Sequence, residues 1–147
     1  MQKVILRLLI GLSCFFYVNL SKAEVDLNTI VVAVPLPNPV KSLTRRQIID
    51  IYMGRYDTFP NGEPAFPIDY PSGSKIKQQF YLKLVNLPET KIRSYWSRLH
   101  FSGRARPPYS IDSRDELFKI IKLKPNSLFY LPKSDVTEEM KIVFSFK

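Results

Sequence analysis

Two serines that flank a glycine, Ser72-Gly73-Ser74, are the residues of this sequence best suited to binding chemistry. Apolar residues recur every fourth position directly after them, which predicts an amphipathic helix over 75–85 with Ser74 as its N-cap. The start of a helix presents unsatisfied backbone N–H groups and the positive end of the helix dipole, and both attract anions. The segment therefore predicts either an anion-binding helix start, to which the hydroxyls donate, or a plain serine cap.

Two arginines further along the chain are the second candidates for binding. Arg104 and Arg106 lie in a stretch, residues 101–108, that lacks periodicity and ends in two prolines, so we expect a loop there. Guanidinium groups bind oxyanions or a partner's carboxylates through paired hydrogen bonds. The alternative is that both are ordinary surface cations.

The sequence contains few of the residue types that catalytic and metal-binding sites need. The only histidine is His100, which leaves no basis for a multi-histidine metal cluster. Ser74 and Lys77 match the Ser-x-x-Lys pattern of penicillin-recognising enzymes, but the companion motifs of those enzymes are absent. We therefore expect no enzyme activity, no metal and no cofactor.

The N-terminal segment has the features of a cleavable secretory signal peptide. Two cations, Lys3 and Arg7, lie near the N-terminus, and an apolar run extends from Val4 to Leu20. Small residues precede a cleavage point after Ala23. An uncleaved anchor is the alternative, but the run is at the lower limit for a spanning helix. We expect a signal peptide at 1–23, one domain at 24–147, a periplasmic location and no membrane insertion after cleavage.

Charge and cysteine content narrow the classes of partner. The signal segment holds three cations and no acid, so the formal charge of +9 becomes +6 once it is removed. A basic domain favours an anionic partner, although the charge can equally serve solubility. Export from the cytoplasm argues against nucleic acid. The only cysteine, Cys14, lies in the signal segment, so the mature domain is expected to have no disulfide.

Strand and helix patterns alternate along the rest of the chain. The hydrophobic spacing and turn signals predict strands over 29–35, 64–69, 127–131 and 141–146, and helices over 45–53, 75–85, 88–99 and 114–122. Capping boxes at Thr44 and Ser113 mark two of the helix starts. Alternation of this kind predicts an α/β domain with a mixed or mainly parallel sheet flanked by helices, and the first strand lies centrally within it.

Several short motifs occur in an order that is typical of one protein family. They are Leu43-Thr44 with Gly54-Arg55, the turn Phe59-Pro60-Asn61-Gly62, Ser72-Gly73-Ser74, Phe101-Ser102-Gly103, and the segment from Pro125 to Leu131. The chain resembles the phosphate ABC-transporter substrate-binding proteins, most closely their short single-domain periplasmic relatives. The resemblance implies a fold like one lobe of a type II periplasmic binding protein, from about residue 30 to residue 131.

The resemblance also implies a function. It points to a non-catalytic domain that holds phosphate or another small oxyanion at Ser72, Gly73 and Ser74, with Arg104 or Arg106 across from them. Full-length members clasp the oxyanion between two lobes, and this chain is too short for both. Asp69, where the family commonly has an arginine nearby, repels an anion unless it is paired or protonated. The alternative function is an interaction protein that docks an envelope sensor or transporter.

Overall fold

The computed structural model describes residues 29–146, so the predicted signal peptide at 1–23 lies outside the described part of the chain. The strands are β1 (Ile30–Pro35), β2 (Phe66–Asp69), β3 (Tyr109–Ser110), β4 (Ser127–Pro132) and β5 (Met140–Ser145). The helices are α1 (Arg45–Tyr52), α2 (Lys75–Val85), α3 (Glu89–Phe101) and α4 (Arg114–Leu123), and a short 3₁₀ turn spans Lys133–Asp135. None of these helices combines the length and the apolar composition that crossing a membrane requires.

The strands form one mixed sheet in the order β3-β2-β4-β1-β5. β2 pairs in parallel with both β3 and β4, whereas β1 pairs antiparallel with β4 and with β5. Four strands therefore point one way and β1 points the other. The expectation of a mixed or mainly parallel sheet flanked by helices is confirmed, and β1 is an interior strand as predicted.

β1 is buried on both faces because helices cover both sides of the sheet. Its six residues are all buried, and the first five alternate between two apolar clusters. Ile30, Val32 and Val34 pack with residues of α1, α2 and α3. Val31 and Ala33 point the other way and pack with residues of α4. This arrangement explains the continuous β-branched run of the first strand.

The starts of α1 and α4 follow the local sequence signals, with one difference at α4. At α1 the Gln47 N–H donates to the Thr44 hydroxyl at 3.3 Å, and the Thr44 N–H donates to the Gln47 side chain at 2.8 Å, which completes the predicted box. At α4 the Ser113 hydroxyl accepts from the Glu116 N–H at 3.3 Å. The Glu116 carboxylate instead accepts from the Asp112 N–H at 2.6 Å, so only half of the second box forms.

Candidate functional site

The Ser72-Gly73-Ser74 segment is the turn that joins the carboxyl end of β2 to α2. Gly73 has φ +84°, a left-handed conformation that reverses the chain and that glycine adopts without strain. Ser74 is the N-cap residue of α2, as predicted, but its hydroxyl makes no cap bond with a helix N–H. It donates instead to the Pro71 carbonyl at 2.8 Å. The turn is thus stabilised from outside the helix, and the helix start keeps free N–H groups.

The Gly73 N–H already holds an oxyanion that belongs to the chain itself. It donates to both carboxylate oxygens of Glu89, at 2.9 and 3.1 Å. Glu89 is the first residue of α3, so its charge also lies at the favourable, positive end of that helix dipole. The amide at this turn is therefore able to bind a carboxylate, and it is occupied.

Ser72 and Glu89 lie on the border of an open cleft of about 410 Å³. The cleft is lined by residues from β2, the turn, α2, α3, β3 and the loop before β3: Asp69, Ser72, Lys77, Glu89, Ile92, Arg93, Trp96, Ser97, His100, Phe101, Pro107, Pro108 and Ser110. Its position at the carboxyl end of β2 is where open α/β sheets bind ligands. The cleft has both an apolar base and several polar groups.

Asp69, at the end of β2, is buried and surrounded by donors. Its carboxylate accepts from the Tyr81 hydroxyl at 2.9 Å, the Tyr130 hydroxyl at 2.5 Å and the Tyr70 N–H at 2.9 Å. The Lys77 ammonium forms an ion pair with it at 3.0 Å. An unpaired Asp69 is expected to repel an anion. Here the carboxylate is paired and fully hydrogen-bonded, so the condition for that repulsion is not met.

The tyrosines around Asp69 are held in their neutral, donating form. Burial raises the pKa of Tyr130 and of Tyr81 well above the ordinary value of 10.0, and the nearby Asp69 charge raises both further. Tyr70 is partly buried, and its burial raises its pKa to about 12. The hydroxyls of Tyr81 and Tyr130 therefore remain donors to Asp69 across the neutral pH range.

Arg104 and Arg106 are exposed in the loop that follows α3, as the sequence predicts. Neither of them lines the cleft that Ser72 borders, so the structure does not bring these two arginines to the Ser72–Ser74 turn. The arginine that does line the cleft is Arg93, one turn beyond Glu89 on α3. His100 also lines the cleft, near the end of α3.

Sequence reasoning missed the groups that occupy the site. Lys77, Tyr81 and Tyr130 hold Asp69, and Glu89 holds Gly73. A signal existed for Lys77, because a cation in the first turn of a helix opposes the dipole and calls for a nearby carboxylate. Residues 29–146 contain no group of three or more His, Cys, Asp and Glu side chains placed to hold a metal.

Comparison with solved structures identifies the architecture. An ABC-type phosphate transport receptor from Vibrio cholerae matches with a TM-score of 0.60 and 14% identity, over 78% of this chain and 44% of the receptor. A putative phosphate ABC transporter substrate-binding protein with bound phosphate, from Clostridium perfringens, matches with a TM-score of 0.61 and 20% identity, over 78% and 43%. A possible phosphate binding protein from Planctomyces limnophilus DSM 3776 matches with a TM-score of 0.54 and 13% identity, over 78% and 40%.

These matches show that the chain has the fold of part of each of these three proteins. The resemblance seen in the order of the sequence motifs is confirmed at this level. The chain spans less than half the length of each of the three proteins. No protein-family model and no curated protein matches the chain.

Proposed function

We propose that this chain is a non-catalytic, periplasmic binding domain that holds a small oxyanion, such as phosphate, at the turn formed by Ser72, Gly73 and Ser74. The observation that carries the proposal is the contact between the Gly73 N–H and both carboxylate oxygens of Glu89. A backbone amide that binds one oxyanion in this way has the position and direction to bind another. The adjoining cleft provides the space.

The fold supports the choice of ligand. One of the structural neighbours is described with bound phosphate, and the other two are described as a phosphate transport receptor and a possible phosphate binding protein. An incoming oxyanion must displace the Glu89 carboxylate from the Gly73 N–H. Because this exchange offsets much of the gain, we expect dissociation constants of about 1 mM, near −4 kcal/mol.

The direct test is calorimetric titration of the protein purified from the periplasm with phosphate, sulfate and acetate. We expect saturable binding of at least one anion, and loss of that binding in the double variant Ser72→Ala with Ser74→Ala. The single tryptophan, Trp96, lines the cleft and offers a fluorescence readout of the same event.

The matched control removes two hydroxyls that bond to backbone carbonyls, as the Ser74 hydroxyl does, but that lie elsewhere. Ser94 donates to the Thr90 carbonyl at 3.0 Å and Ser102 donates to the Leu99 carbonyl at 2.9 Å, and neither lines the cleft. Ser94→Ala with Ser102→Ala should leave anion binding unchanged. Silence with all three anions, or equal loss in both double variants, would contradict the proposal.

The periplasmic location is a separate part of the proposal and has its own measurement. The full-length gene should yield a protein that osmotic shock releases from the cell. Its intact mass should correspond to residues 24–147, as cleavage after Ala23 requires. A protein that keeps residues 1–23 and stays with the membrane fraction would contradict this part alone.

A further inference from the structure

The described arginines fall into two groups according to whether they have a partner. Four are held by carboxylates or backbone carbonyls: Arg45, Arg46, Arg55 and Arg114. The other four are exposed and form no ion pair or side-chain hydrogen bond with any residue in 29–146: Arg93, Arg98, Arg104 and Arg106. All four of the unpaired arginines lie within residues 93–106, on α3 and the loop after it.

The stretch that contains these arginines has no acidic residue. Between Glu89 and Asp112 the chain carries five lysines and arginines and neither aspartate nor glutamate. Like charges at this density repel one another, and an external negative charge relieves the repulsion. Guanidinium groups favour carboxylates in particular, because they offer two parallel donors to the two oxygens.

An exposed aromatic residue lies in the middle of this basic stretch. Phe101, the last residue of α3, is 90% exposed, the largest exposure of the large hydrophobic residues described. Arg98 lies one turn before it on the helix, and Arg104 follows three residues later in the loop. Phe101 also lines the cleft, together with Pro107 and Pro108. The apolar and basic groups therefore share one region of the surface.

We propose that this region, which we call the α3 basic surface and define as Arg93, Arg98, Phe101, Arg104 and Arg106, docks an acidic segment of a partner protein. Phe101 is the apolar anchor and the arginines bind carboxylates of the partner. A polypeptide segment fits better than a lipid bilayer, because a side chain can enter the adjoining concave cleft and a flat membrane cannot. The inference does not depend on oxyanion binding at the Ser72–Ser74 turn.

The test selects random-sequence peptides displayed on phage against the immobilised periplasmic protein. We expect enriched sequences in which aspartates or glutamates flank an aromatic or branched aliphatic residue. A synthetic peptide with the enriched sequence should bind at least about fivefold more weakly to Phe101→Ala, the loss expected for an anchor residue. It should bind several-fold more weakly to the double variant Arg98→Gln with Arg104→Gln, and more weakly still as salt is raised.

The chain offers close controls for both changes. Leu123 is the last residue of α4 and is 80% exposed, so Leu123→Ala removes an equivalent apolar side chain from the end of another helix. Lys119→Gln with Lys133→Gln removes two exposed cations from other elements. Both should leave peptide binding unchanged, and thermal unfolding should show that all variants fold.

Four results would overturn the proposal. They are no enrichment, enrichment of peptides without acidic residues, binding that Phe101→Ala leaves unchanged, and binding that the controls reduce equally. Two further outcomes would assign the surface to another occupant. Sedimentation with phosphatidylglycerol vesicles that is lost in Phe101→Ala would assign it to the membrane, and self-association lost in that variant would assign it to a second copy.

Discussion

The Gly73 N–H donates to the two carboxylate oxygens of Glu89, at 2.9 and 3.1 Å. This contact joins the start of α2 to the start of α3. A side chain of the protein thus lies where the proposed function places a dissolved anion. Under the proposed function, an external oxyanion must therefore compete with this internal carboxylate, and mutation can change the balance between them.

Removal of the internal carboxylate should strengthen oxyanion binding. Glu89→Ala frees the Gly73 N–H and removes a negative charge from the cleft. A hydrogen bond to a charged group is worth about 1.5–3 kcal/mol, so we expect phosphate affinity to rise about tenfold in calorimetric titrations. Glu63→Gln, at an exposed turn remote from the cleft, should change nothing. Unchanged affinity in Glu89→Ala would show that Gly73 does not bind the ligand.

The Asp69 carboxylate should matter more for stability than its ion-pair partner Lys77. Asp69→Asn leaves the Lys77 ammonium, which is only 13% exposed, without its charge partner, and should cost about 3–5 kcal/mol of unfolding free energy. Lys77→Met leaves Asp69 with two tyrosine hydroxyls and a backbone N–H, so its cost should be smaller. Urea unfolding followed by Trp96 fluorescence measures both. Equal costs would contradict this view of the cluster.

The buried tyrosines should make the fold sensitive to alkaline conditions. Burial raises the pKa of Tyr81 and Tyr130 above 10.0, so the folded state holds these protons more tightly than the unfolded state does. Their contribution to stability is complete below pH 10 and is lost as the pH rises toward the folded-state pKa values. Urea unfolding at increasing alkaline pH measures this loss.

Tyr130→Phe provides the control for the alkaline loss of stability, because phenylalanine has no proton to lose. Stability should fall less steeply with alkaline pH in this variant than in the native protein. The same slope in both proteins would show that Tyr130 does not contribute.

Two glycines with left-handed backbones should differ sharply in their tolerance of alanine. At Gly54, φ +67°, an added Cβ would lie 2.7 Å from the Trp96 ring and 3.0 Å from the Ala105 side chain. At Gly62, φ +85°, nothing lies within 4 Å. Gly62→Ala should cost about 1–2 kcal/mol of backbone strain. Gly54→Ala should cost a further 1–3 kcal/mol for overpacking, measured by the same urea unfolding. Equal costs would show that Trp96 moves away freely.

Features that depend on residues close together in the sequence could be predicted without the structure. The spacing of apolar residues and the position of Ser74 gave the bounds of α2, and Thr44 with Gln47 gave the start of α1. β3 was missed because it has only two residues, Tyr109 and Ser110, and both are exposed. So short a strand has no alternation to detect.

The partners of the site residues could not be predicted because they come from distant parts of the chain. In the sequence Asp69 has no visible partner. In the folded structure Tyr130 of β4 and Lys77 and Tyr81 of α2 contact its carboxylate. The Gly73 N–H likewise has no visible partner in the sequence, whereas in the structure it donates to Glu89 at the start of α3. Residue types and local spacing are visible in the sequence, whereas these contacts depend on how the elements pack.

The antiparallel pairing of β1 with β4 and β5 has a consequence for the order of folding. β1 is the first of the described strands and its two neighbours, β4 and β5, are the last two, as the pairing of Ile30 with Pro132 illustrates. Contacts between residues roughly 100 positions apart slow folding, since a long loop must close before they form. β1 therefore has no sheet neighbour until residues 127–145 have been synthesised, and its buried apolar residues must wait for these later strands before they are covered.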